Sequence, residues 1–117
     1  RRLVQLVIGK ISLVQASVHI VVLNFPSSFF VNIFSISSDL LIHECFGRFQ
    51  DQKEATKHGH STAKDVGILA RKSKVGEVIL SHIHSKYDGR EEELIREAKK
   101  YYSGNVHVAN DLDVFNF

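Results

Sequence analysis

Ser38-Asp39-Leu40-Leu41-Ile42-His43-Glu44-Cys45-Phe46 is the stretch that decides the fold. Three consecutive branched apolar residues, Leu40-Leu41-Ile42, stand between an acid and His43-Glu44. Such a run reads as a short strand buried on both faces, the kind found in parallel sheets. Val78-Ile79-Leu80 repeats the pattern. Between the two, residues 46–59 are polar and read as an exposed loop with room for a short helix. Ser61 or Thr62 caps a helix running to about Lys72, with Ala63, Val66, Leu69 and Ala70 at core spacing. Gly76 ends that connection. A second helix starts after Tyr87-Asp88-Gly89, where Glu91, Glu92 and Glu93 complement its N-terminal dipole. Lys99 and Lys100 stand at its far end, and Ser103-Gly104-Asn105 closes it. Residues 106–109 and 112–117 then read as two short strands around Asn110-Asp111. The whole is an α/β alternation.

Upstream the character of the chain changes. Residues 1–38 hold only Arg1, Arg2 and Lys10 and no acid, whereas residues 39–117 hold the other 12 basic residues and all 13 acids. The reading is therefore of two parts, an apolar, nearly charge-free segment at 1–38 and an α/β unit at 39–117. Short β-branched and aromatic runs at 3–8, 11–14, 18–23 and 29–34, punctuated by Gly9 and Asn24-Phe25-Pro26-Ser27-Ser28, favour strands. Residues 11–38 carry no charge, but seven serines, two asparagines, Gln15, His19 and Pro26 dilute them too far for a membrane span.

Composition sets the bounds. A chain of 117 residues, 44% apolar, has the size of one domain. One cysteine excludes an internal disulfide framework and a Cys-rich zinc module, and it fits a reducing, cytoplasmic setting. With no Met, the sequence does not start at an initiator residue and reads as processed or as a piece of a longer protein. A net charge of +2 gives no argument for nucleic-acid binding from charge alone.

Histidine is over-supplied, at seven, and five of the seven fall at strand ends or loops. His43-Glu44 and Ser81-His82-Ile83-His84 each follow a buried strand, and His58-Gly59-His60 precedes a helix. In layered α/β proteins strand ends and helix starts converge on one rim, where imidazoles ligate metals or exchange protons. An H-x-H on a strand would put both rings on one face, which suits a dinuclear metal site.

These residues carry a family resemblance. Residues 38–46 resemble the strand and H-E-A/C-T loop of ribonuclease Z, an endonuclease of the metallo-β-lactamase fold. Gly59-His60-Ser61-Thr62-Ala63 resembles that family's H-S-T motif at a helix start, and Leu80-Ser81-His82-Ile83-His84-Ser85-Lys86-Tyr87 its late L-T-H-I/F-S-x-R-Y motif. Ala109-Asn110-Asp111-Leu112 is similar to its closing A-x-D-L strand. The order and approximate spacing agree over residues 38–117.

The resemblance implies an α/β fold, the C-terminal half of an αββα metallo-β-lactamase-like sandwich, preceded by a β-rich apolar segment. Two helices would lie on the outer face with mixed strands beneath. It implies zinc-dependent endonucleolytic removal of tRNA 3′ trailers, with precursor tRNA as partner. His82 matches a ligand to one of two zinc ions. His60 matches the histidine that gives a proton to the leaving 3′ oxygen, and Glu44 the carboxylate that orients it. His43, His84, Ser61, Thr62, Lys86 and Tyr87 are the supporting residues. Phosphodiester hydrolysis needs an acid for the leaving alkoxide, and a neighbouring carboxylate favours an imidazolium.

The departures are equally specific. The family's H-x-H-x-D-H motif is absent, and so is the bridging aspartate; the corresponding stretch near 17–23 holds His19 and no acid. Phe46 replaces the loop Thr, His84 the late Ser and Lys86 the late Arg. One matched ligand does not hold two zinc ions, which take three or four protein ligands each. The expectation is a chain that does not cleave RNA by itself. Two alternatives stand beside it: a non-catalytic remnant that pairs its apolar segment with another chain, including as a homodimer, and a related hydrolase of small phosphodiesters or esters.

Overall fold

A computed structural model describes the backbone at residues 4–7, 10–13, 20–23, 39–110 and 114–116, and the side chains at 39–110. In chain order the strands are β1 (Val4–Val7), β2 (Lys10–Leu13), β3 (Ile20–Leu23), β4 (Leu40–Glu44), β5 (Glu77–Ser81), β6 (Asn105–Val108) and β7 (Val114–Asn116). The helices are α1 (Gln52–Lys57), α2 (Ala63–Ser73) and α3 (Glu91–Lys99), with 3-10 turns at Phe49–Asp51 and Ser85–Tyr87. The expected strand at 29–34 lies outside the described residues.

Two sheets are formed. β1 pairs antiparallel with β2 on one side and β7 on the other, giving the order β2-β1-β7. The second sheet runs β3-β4-β5-β6, and every pairing in it is parallel. Its register aligns Val22, Ile42 and Ile79 across three strands. The mixed strands expected beneath the helices are therefore a purely parallel sheet. The reason is connectivity: β4 reaches β5 through α1 and α2, β5 reaches β6 through α3, and such helical crossovers return the chain in the same direction. Backbone pairing also crosses the compositional break at 38/39, since β3 lies beside β4.

Alternation along the strands buries both faces of this sheet. Leu41, Val78, Leu80 and Val106 pack against Val66, Leu69 and Ala70 of α2, Leu94 and Ala98 of α3, and Tyr87 and Tyr102. Leu40, Ile42 and Ile79 point the other way and are buried too. This two-sided burial is the physical content of the unbroken apolar triplets.

The choice between Ser61 and Thr62 as helix cap is settled by hydrogen bonding. Thr62 Oγ1 accepts the Asp65 N–H at 3.3 Å, and the Asp65 carboxylate accepts the Thr62 N–H at 2.9 Å. Residues 46–59 are more ordered than a loop: the first 3-10 turn leads into α1, whose Ala55 is fully buried. Among the described residues α1 is the short helix for which that stretch has room, beside the two longer helices. α2 and α3 touch at Gly67, where a Cβ would lie 2.5 Å from the Ala98 carbonyl oxygen. No helix among the described residues is long and apolar enough to cross a membrane.

Candidate active site

β4 and β5 end on the same rim, with Glu44 and Ser81 in register. Main-chain bonds then tie together three segments that are far apart in sequence. The Cys45 N–H donates to the Ser81 carbonyl at 2.8 Å, the Phe46 N–H to the Ser61 carbonyl at 2.8 Å, and the His84 N–H to the Phe46 carbonyl at 3.1 Å. The Ala63 N–H donates to the Gly47 carbonyl at 2.8 Å and anchors the start of α2 beside them. All three histidine-bearing motifs therefore meet at the C-terminal edge of the parallel sheet, where sites on open α/β sheets lie.

Glu44 is the centre of this rim. Its side chain is fully buried; Oε1 accepts the Ser61 N–H at 2.7 Å, and Oε2 lies 3.1 Å from Nδ1 of His60. Burial pushes the Glu44 carboxyl above its ordinary value, against the opposing pull of the Ser61 amide and the His60 ring. Because a carboxylate accepts, the His60 tautomer that satisfies this contact carries its proton on Nδ1 and presents Nε2 outward. Ser61, expected as a supporting residue, holds Glu44 through its backbone amide and its side chain. Thr62 acts as the cap of α2.

Ring contacts fix the rest of the site. His60 stacks on Phe46 with centroids 5.7 Å apart and an interplanar angle of 21°. The His82 ring meets His60 edge-on at 5.6 Å and 85°. His84 tilts against the other side of the group, 4.9 Å from Phe46, while its Nδ1 accepts the Lys86 N–H at 3.1 Å. The H-x-H geometry expected of a strand does not occur, because β5 stops at Ser81 and His82 takes a left-handed φ of 55°. That turn sends His82 toward His60 and His84 toward Phe46. A cleft of about 270 Å³ opens beside His82, lined also by Asp88, Glu91 and Asn110.

Other expected residues lie elsewhere. His43 follows the alternation of β4 onto the helix-covered face with Leu41 and Cys45, away from Glu44. It is fully buried; Nδ1–H donates to the Glu44 carbonyl at 2.7 Å and Nε2 has no hydrogen-bond partner. Burial lowers its pKa, more than the Glu44 carbonyl and the Asp65 charge raise it. Lys86 and Tyr87 turn to Asp51, whose carboxylate accepts the Lys86 ammonium, the Tyr87 hydroxyl and, at 3.3 Å, the Arg48 N–H. Burial alone would raise Asp51, but these donors outweigh it and hold the carboxyl low.

Sequence reading noted Phe46 only as a departure from a motif and missed Asp51. Phe46 is the surface on which His60 and His84 rest. Asp51 sits in a polar stretch with no periodicity to single it out, and its partners are 35 and 36 positions away.

Among the described residues there is no group of three or more His, Cys, Asp or Glu side chains placed to hold a metal ion. A pair of zinc ions does not fit what the described residues supply.

No family model matches the chain. The architecture is similar to part of the metallo-beta-lactamase fold protein YhfI from Bacillus subtilis, with a TM-score of 0.72 and 29% identity over 92% of this chain and 43% of that one. The short form of human tRNase Z (ELAC1) gives a TM-score of 0.52 at 24% identity, over 70% of this chain and 26% of that one. The chain thus has the α/β metallo-β-lactamase fold. Within that class its sequence is similar to ribonuclease Z. It is 39% identical to the Lactobacillus johnsonii protein over 80 residues (68% of this chain, 26% of that one). It is 39% identical to the Exiguobacterium protein over 74 residues (63% and 24%). The chain matches about a quarter of the length of these curated relatives.

Proposed function

We propose that the described rim is the proton-transfer side of a phosphodiesterase centre of ribonuclease Z type. The observation that supports this reading most is the buried Glu44 carboxylate on Nδ1 of His60, with the His82 ring set against the same imidazole. With Nδ1–H held by Glu44, Nε2 is the atom left to carry a proton to the leaving 3′ alkoxide of a cleaved phosphodiester. Ser61 holds the carboxylate and Phe46 limits rotation of the ring, so the acid is positioned before substrate arrives. The substrate of this reading is precursor tRNA, cut at its 3′ trailer, in the cytoplasm.

His82 is the one residue of the rim that matches a family zinc ligand. A metal there would need further ligands from outside the described residues. Residues 1–117 alone therefore do not cleave RNA in this reading; pairing of the 1–38 segment with another chain, a second copy included, belongs to the alternative of a non-catalytic unit. The missing ligand set also favours a second reading, a non-catalytic binding unit.

Two assays separate these. Residues 39–110 would be exchanged into Lactobacillus johnsonii ribonuclease Z in place of the matched stretch. The catalytic reading expects the chimera to cleave a labelled precursor tRNA, with loss on Glu44→Gln or His60→Ala. A folded chimera that is inactive supports the binding unit. Cleavage by residues 1–117 with zinc, abolished by His82→Ala, would overturn the claim that the chain is inactive alone.

A further inference from the structure

The opposite end of the parallel sheet carries a different surface. Here the last turns of α2 and α3, with the segments leading into β5 and β6, border a groove of about 560 Å³. Arg71, Lys74, Lys99 and Lys100 line it beside Tyr101, and no carboxylate lines it among the described residues. All four cations are exposed. We propose that this groove binds the phosphodiester backbone of single-stranded RNA. The inference goes beyond the reading of the His60 rim, since it requires binding at the far end of the sheet and no cleavage.

Helix electrostatics account for part of this pattern but not all of it. Basic residues in a last turn complement the helix dipole, which explains the sign of Arg71 and Lys99. Each helix end contributes roughly half a negative unit charge. Two ends set against four full cations leave a surplus of about three positive charges in one concavity. Lys74 and Lys100 follow the two helices, and Lys74 does so in a left-handed conformation, φ 53°, that ordinarily favours Gly or Asn. A chain whose net charge is only +2 thus gathers four cations without an intervening acid.

Aromatic neighbours favour RNA over an acidic protein segment. Tyr101 borders the groove, and the Lys64 ammonium lies 5.6 Å from its ring centroid and 4.1 Å from that of Phe49. Phe49 is 46% exposed, the one large apolar side chain exposed among the described residues. Cations that track phosphates beside rings that stack on bases are what single-stranded nucleic acid requires, and the carboxylates of an acidic segment have no face to stack on the rings.

The test is fluorescence anisotropy of a labelled 20-nucleotide RNA with the full chain across a KCl series. Four phosphate contacts predict about a 50-fold loss of affinity between 50 and 200 mM KCl, from a slope of about −0.7 per contact. Arg71→Gln/Lys74→Gln should make that slope shallower by about 1.4. Lys53→Gln/Lys57→Gln, the same charge change on α1, should leave it unaltered. These are exposed positions, and circular dichroism confirms that each variant folds. No binding at 50 mM KCl, or an equal effect of the two double variants, overturns the proposal. Competition by polyglutamate as strong as by unlabelled RNA overturns it in favour of an acidic protein partner.

Discussion

Nδ1 of His60 lies 3.1 Å from Oε2 of Glu44, sixteen positions back along the chain. The contact exists because β4 delivers Glu44 to the sheet rim and the turn before α2 delivers His60 to the same place. Its energetic signature is a pH dependence. Burial raises the Glu44 carboxyl above its unfolded value, so folding favours the protonated form more than the unfolded chain does. That contribution is fully present below the unfolded Glu pKa and is lost as pH rises through the raised folded value. Glu44→Gln keeps an oxygen for the Ser61 N–H and abolishes the charge. Urea midpoints of the native chain should fall with rising pH across that window relative to those of Glu44→Gln. Parallel curves for the two proteins would show that burial does not govern this carboxyl.

His43, one position away, gives the opposite sign. Its pKa is lowered by burial, and Nε2 lies buried without a partner. The unfolded chain therefore takes up a proton near pH 6.5 while the folded chain resists. The stability His43 contributes is complete above its unfolded pKa and is lost as pH falls through the depressed folded value. His43→Leu removes both the titration and the bond to the Glu44 carbonyl. It should cost about 1 kcal/mol at pH 8 and flatten the acid side of the stability profile. A profile as steep as the parent's would assign the acid sensitivity to another group.

Neighbouring positions with opposite behaviour show what the sequence carried. Leu40-Leu41-Ile42 and Val78-Ile79-Leu80 were legible as two-sided strands because a fully apolar triplet has few other folded uses. Ser61-Thr62 marked the start of α2 by capping chemistry, and which of the two caps it is decided by the bond to Asp65. His43 is a supporting candidate as a histidine of the H-E motif at a strand end, but strand alternation puts adjacent side chains on opposite faces. His82 and His84 follow the strand, as their place after Val78-Ile79-Leu80 suggests, but the left-handed φ at His82 that sets where the two rings go leaves no mark in the sequence. Asp51 was invisible for a related reason: its partners come from another motif, and long-range pairing has no period.

Helix packing makes a prediction at Gly67. Alanine is the better helix former by about 1 kcal/mol, so an exposed site would gain from the change. Here the added Cβ would meet the Ala98 carbonyl at 2.5 Å and its Cα at 3.1 Å, both backbone atoms of α3. Backbone cannot swing away as a side chain can. Gly67→Ala should therefore destabilise by about 1–3 kcal/mol, read as a lower urea midpoint at unchanged slope. A stabilised variant would mean that α3 shifts without loss of packing.

Asp51 makes the last prediction, one that separates a structural tie from a surface ion pair. Its carboxylate joins the start of α1 to the 3-10 turn Ser85–Tyr87, which follows directly on His82 and His84. An exposed lysine pair alone is worth little. The Tyr87 side chain, however, is fully buried, and its hydroxyl also accepts the Arg48 N–H at 3.2 Å. Asp51→Ala strips the hydroxyl of its acceptor, a loss of about 1–3 kcal/mol; Asp51→Asn retains an acceptor for it and should fall in between. The accompanying readout is hydrogen exchange: amides of residues 84–88 should lose protection in Asp51→Ala while those of α3 keep theirs. If Lys86→Gln reproduced the whole effect, the exposed ion pair would be the tie and the tyrosine a bystander.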